Sequence, residues 1–153
     1  MRGISFKAPN KYGHILIDIL NGVDLNLFQW NVMQADIIWS IPQKGLSSFF
    51  DVEQNISGSE LIKQITKDDY YVLFIVLKAF PLDSKIMEIN NYRDFLHSDC
   101  QLALLIYDVT NVEIYCKEDR LLKIITDNII NNGYSQIEEI TEENNLRTEF
   151  YVL

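Results

Sequence analysis

The sequence predicts an α+β fold: a single, largely antiparallel or mixed sheet with about three helices packed on one face. Three observations predict it. The elements do not alternate as regular βα units, since strands follow strands at both ends of the chain. Tyr70 to Phe80 is apolar on both faces for much of its length, which suits a strand in the middle of a covered sheet. Leu102 to Asp108 and Val112 to Lys117 flank Val109-Thr110-Asn111, the pattern of a β-hairpin.

Taken in order, Gly3 to Lys7 reads as a short strand broken by Pro9-Asn10. Asn10 is placed to cap a helix running to about Leu20, with Ile15, Leu16, Ile19 and Leu20 on one stripe and Asn21-Gly22 ending it. Leu27 to Val32 and Asp36 to Ile41 read as a strand pair, the second stopped by Pro42. Between Gln43 and Asn55, Leu46, Phe49 and Phe50 need an anchor, and a short strand would provide it. Ser57 and Glu60 have capping-box spacing ahead of Leu61, Ile62 and Ile65. Pro81 closes the central strand, and Tyr92 to His97 reads as one or two helical turns with Tyr92, Phe95 and Leu96 inward. After the hairpin, Glu118 and Asp119 suit a helix N-terminus, Leu121, Leu122, Ile125 and Ile129 form its apolar stripe, and Gly133 ends it. Ser135 to Ile140 and Arg147 to Leu153 read as two further strands around the acidic turn Glu142 to Asn145. Without a linker or repeat, residues 1–153 read as a single α+β domain.

Thirteen basic and twenty-two acidic side chains give a formal net charge of -9. That sign opposes nucleic-acid binding, which depends on Lys and Arg neutralising phosphates, and anionic membranes for the same reason. The longest apolar run, Val72 to Leu77, is too short to span a bilayer, and the N-terminus lacks a signal-peptide pattern. With only two cysteines, a reducing cytoplasm is the expected setting. Cys116, alternating with Val112 and Ile114, is expected in the core, whereas Cys100 at a strand start has no pattern to bury it.

Catalytic, metal and cofactor motifs are missing from the pattern. His14 and His97 are the only histidines. The local group His97, Asp99 and Cys100 lacks an oxyanion donor and an orienting acid, and reads as a helix-end histidine beside a turn aspartate. Glu138, Glu139, Glu142 and Glu143 form an acidic edge without the ligand spacing or central glycine of a calcium loop. Gly58 stands at a helix start where an anion could bind, but capping by Ser57 accounts for it. Trp30 and Trp39 align with apolar neighbours and read as core.

Strand alternation turns Val112, Ile114 and Cys116, with Phe150 and Val152, toward the helices. Glu113, Tyr115 and Lys117, with Arg147, Glu149 and Tyr151, face the other way. Glu113, Tyr115, Arg147, Glu149 and Tyr151 are therefore the expected binding face, open on the sheet and suited to a protein partner or a homodimer. Arg2-Gly3-Ile4-Ser5-Phe6, Lys78-Ala79-Phe80-Pro81, Val112 to Lys117 and Thr141 to Phe150 together resemble a small family of uncharacterised proteins from Bacillus and related Gram-positive bacteria, a domain of unknown function. The resemblance implies a bacterial, cytoplasmic protein and brings no activity, ligand or site residue with it. The leading expectation is a non-enzymatic interaction or regulatory module. Two alternatives stay open: a carboxylate-dependent enzyme using Asp108, Glu113 and Glu149, and a small-ligand binder with an apolar cavity near Trp30 or Trp39.

Overall fold

The computed structural model describes residues 1–40 and 53–152. Its strands are β1 (Gly3–Lys7), β2 (Phe28–Trp39), β3 (Gln54–Ser57), β4 (Tyr70–Pro81), β5 (Leu102–Tyr107), β6 (Asn111–Cys116) and β7 (Ser135–Ile140). They form a seven-stranded sheet in the order β3-β2-β4-β5-β6-β1-β7, antiparallel at every described pairing. Its helices are α1 (Ile15–Leu20), α2 (Gly58–Thr66), α3 (Tyr92–His97) and α4 (Asp119–Asn131).

β4 lies between β2 and β5, which is why its sequence is apolar on both faces. The expected hairpin joins β5 to β6, with Asp108 at φ 47° and Val109 at φ 69° in the turn. Left-handed φ is costly for a β-branched residue. Neighbours pin the turn: Val109 N–H donates to the Leu73 carbonyl at 3.1 Å, and the Thr110 carbonyl accepts from Ala8 N–H at 2.8 Å. The expected strand pair in the first third is instead one twelve-residue strand, β2. A bulge between Met33 and Asp36, with Gln34 at φ 50°, interrupts its hydrophobic alternation without ending it. The expectations for Pro42, Leu46, Phe49 and Phe50 lie outside the described residues.

Three helices pack on one face, as the sequence suggests. Leu16, Ile19 and Leu20 of α1, Leu61 and Ile65 of α2, and Leu121, Leu122, Ile125 and Ile129 of α4 share a core with Ile4, Phe6, Trp30, Leu104 and Ile114 from the sheet. Ser57 Oγ caps α2 by accepting from Glu60 N–H at 3.1 Å. Gly58 has a second role there: a Cβ would come within 2.2 Å of the Leu25 carbonyl oxygen, so the close approach of α2 to the tight turn Leu25–Leu27 requires glycine. α4 ends in a Schellman motif, with Gly133 N–H on the Ile130 carbonyl and Tyr134 N–H on the Ile129 carbonyl. α1 begins only after His14, not at Asn10. The intervening chain is occupied by the start of β4, where Gly13 and Tyr70 exchange backbone hydrogen bonds at 3.0 Å and Asn10 accepts from the Tyr71 hydroxyl.

The opposite face is covered too. A second apolar cluster joins Val76, Phe80, Ala103, Leu105 and Tyr115 of the sheet to Ile89, Phe95, Cys100 and Phe150. The expected strand at Arg147 to Leu153 does not form across the described residues 147–152, and Phe150 packs away from α1, α2 and α4. Leu96, expected inward, is 51% exposed, and Phe95 alone anchors α3 fully. Cys100 is buried, with its thiol directed at the Leu102 carbonyl. No helix among the described residues is long and apolar enough to cross a membrane.

Candidate functional site: an acidic cleft beneath the C-terminal segment

The cleft is built on the second face by alternation along three adjacent strands. Glu113 on β6 pairs with Ser5 on β1, and Ser5 pairs with Glu138 on β7. The chain then reverses in a turn closed by side chains: Asn144 Oδ1 accepts from Thr141 N–H, and Asn144 Nδ2 donates to the Glu139 carbonyl, both at 2.7 Å. This reversal brings Arg147 back over the sheet onto Glu113.

Arg147 donates from Nε at 2.9 Å and Nη2 at 2.7 Å to the same Glu113 oxygen, Oε2. Its remaining nitrogen, Nη1, donates to the Glu149 and Tyr151 carbonyls at 3.1 and 2.7 Å. The guanidinium carbon lies 5.0 Å from the Tyr107 ring centroid. The two side chains are only 15% and 14% exposed, so the pair is largely desolvated. Burial pulls the Arg147 pKa down, but the hydrogen bonds and charge of Glu113 outweigh it and leave the guanidinium held above its ordinary value. Glu113 Oε1 accepts from the Tyr115 hydroxyl at 3.0 Å, and Asn145 Oδ1 lies within reach of the same hydroxyl at 3.2 Å. Burial, then the neighbouring Glu113 charge, push the Tyr115 phenol up, so it is a neutral donor.

Around this pair opens a cleft of about 520 Å³. Glu113, Glu138 and Glu149 line it with carboxylates, against a single arginine that Glu113 already engages, while Glu139, paired with Ile4, lines it through its backbone. Ser5, Tyr107, Thr148 and Tyr151 add hydroxyl groups. The unengaged charge is negative and sits at the exposed edge, where it can attract a cation without first breaking an internal pair.

The expected site residues therefore meet, but not as an open sheet face. Glu113, Arg147, Glu149 and Tyr151 line the cleft. Tyr115 lies beneath it, fully buried, with its ring centroid 4.6 Å from Phe150 and 5.8 Å from Tyr92. Alternation gave its face correctly, but the face is covered by α3 and the C-terminal segment of the same chain. Lys117 is drawn away and donates to the Ser98 carbonyl at 2.6 Å. Asp108 sits in the hairpin turn and does not line the cleft with Glu113 and Glu149. Trp30 is buried, with its indole N–H on the Leu25 carbonyl at 3.0 Å, and Trp39 packs against the same core.

His97 is exposed at the end of α3, and Asp99 is also exposed. Burial of Cys100 pushes its thiol up to about 12, so the local His–Asp–Cys group holds no thiolate. Among the described residues, no group of three or more His, Cys, Asp or Glu side chains could hold a metal ion. Glu138, Glu139, Ser5 and Tyr107 are cleft residues that sequence reading did not assign to this face. The pairing of Ser5 with Glu113 and Glu138 identifies Ser5 and Glu138, and pairing between strands this distant in sequence is not readable from alternation alone.

Comparison with known proteins gives the same outline as the resemblance. The family described as "Protein of unknown function (DUF2691)" matches residues 1–151. A relative from Bacillus subtilis (strain 168), described as "Uncharacterized protein YncE", is 32% identical over 151 residues, covering 99% of each chain. No solved structure matches.

Proposed function

The chain belongs to the DUF2691 family, and from the geometry of the cleft we propose that it is a non-enzymatic, cytoplasmic interaction module that binds a basic segment of a protein partner. The observation that carries this reading is the charge balance of the cleft. Three glutamates meet one arginine, and that arginine is engaged by Glu113 and by two backbone carbonyls. A lysine- or arginine-rich segment would find carboxylates at the edge and hydroxyl groups along the walls. The overall charge of -9 would draw it in from a distance. The same charge works against self-association through this face, because two copies would bring like charges together.

Affinity capture from lysate of the native host tests this, with the double variant Glu138→Gln, Glu149→Gln as comparison. Both side chains are exposed, so the variant keeps its core. A partner held by the native protein at low salt, and lost both at high salt and in the variant, is the expected result. Equal capture by the variant contradicts it.

A further inference from the structure

Lys78 stands at the centre of β4 and is 2% exposed, yet it makes no hydrogen bond or ion pair with any described residue. It shares the second face with Val76 and Phe80, and its register neighbours are Asn31 on β2 and Ala103 on β5. A lysine this buried, with an ammonium that no described group engages, is costly to a fold, and burial pulls this one below the usual lysine value. Lys78 is not sealed in, however. It forms part of the wall of a second cleft, of about 500 Å³, separate from the acidic one except for Tyr151.

The other walls of this cleft are chemically ordered. Asn31, nearly buried and paired with Lys78 across the strands, donates to Asn55 Oδ1 at 2.9 Å, which holds the Asn31 amide in place beside Lys78. Glu53 and Glu88 stand exposed at the edge, near enough for their charges to act on Lys78 but not paired with it. Met33, Ile86 and Met87 supply apolar surface between. Methionine adapts to side chains of varied shape.

We propose that this cleft binds a small zwitterion of the α-amino-acid class. Its carboxylate docks on Lys78 and the Asn31 amide, its ammonium on Glu88 or Glu53, and its apolar side chain on Met33, Ile86 and Met87. A buried cation separated from edge carboxylates by more than an ion-pair distance is complementary to a molecule carrying both charges a few bonds apart. The inference does not depend on the acidic cleft or on a protein partner.

The test uses the full chain and L-leucine, followed by the methyl resonances of Met33 and Met87. The comparison ligands are 4-methylpentanoate, which lacks the ammonium, and 3-methylbutylamine, which lacks the carboxylate. The expected result is saturable perturbation by L-leucine, with each analogue weaker by about tenfold or more, the loss of one charge-assisted contact. Lys78→Met, nearly isosteric, is expected to lose binding by a similar factor, as is Glu88→Gln at the exposed edge. Absence of any perturbation by leucine or the other apolar amino acids at millimolar concentration overturns the proposal. Binding unchanged in Lys78→Met does so too. Equal affinity for 4-methylpentanoate overturns the zwitterion assignment.

Discussion

Arg147 donates two hydrogen bonds to one oxygen of Glu113 across 34 residues of chain, and with its third nitrogen it holds the carbonyls of Glu149 and Tyr151. One side chain thus fastens the C-terminal segment to the sheet and sets the shape of the acidic cleft. Replacing it with methionine leaves Glu113 desolvated and unpaired, at an expected cost of about 3 kcal/mol. Arg147→Lys recovers only a part, because an ammonium cannot span the carboxylate and both carbonyls at once. Urea unfolding gives the magnitude. Hydrogen exchange at Phe150, whose N–H donates to the Asn90 carbonyl, shows whether the segment has lifted.

Tyr115 separates packing from hydrogen bonding. Its ring is enclosed by Phe150, Phe95 and Tyr92, while its hydroxyl reaches Glu113 and Asn145. Tyr115→Phe is expected to cost about 1 kcal/mol, the net value of a typical hydrogen bond, and Tyr115→Ala about 3–5 kcal/mol. Chemical denaturation distinguishes them. An alanine variant as stable as the native protein would show that the ring is not part of the core.

Lys78 carries a stability cost with a defined pH dependence. Its folded pKa is depressed by burial, so the unfolded chain binds the proton more tightly. The penalty is full below the folded pKa and disappears as pH rises toward the ordinary lysine value of about 10.4. Lys78→Met is therefore expected to raise stability by on the order of 1–3 kcal/mol near neutral pH, with the gain shrinking in alkaline solution. Thermal melts of both proteins across pH 6 to about 10 test this. A melting point lowered at neutral pH would contradict it.

The cysteines are expected to be inert. Burial pushes Cys100 up to about 12 and Cys116 up to about 11. Neither is a thiolate at neutral pH, and the thiolate is the nucleophile. A disulfide-exchange reagent is expected to leave both unmodified in the native protein and to label both after denaturation. Rapid labelling of Cys100 in the native state would indicate that the second face opens.

Much of the fold was readable from the chain because its signals are local. The β5–β6 hairpin, the two-sided apolar run of β4 and the stripe of α4 ending at Gly133 each rest on neighbouring residues. One error falls where distant groups replace regular hydrogen bonding. Arg147 to Val152 alternates like a strand, but its carbonyls are satisfied by a guanidinium, and its Phe150 and Val152 N–H groups by the Asn90 carbonyl and the Gln34 side chain. Alternation predicted which way Tyr115 points but not what lies over it. The signal for Lys78 was present: it is the only charged residue in β4.

Zero-length carbodiimide crosslinking of the protein to its captured partner, followed by peptide mapping, tests the proposed function most directly, because it joins only carboxylates and amines already in contact. Crosslinks from Glu138 or Glu149 to lysines of one basic partner segment are the predicted result. Crosslinks confined to acidic residues elsewhere on the surface, such as Asp83 or Glu60, would contradict it.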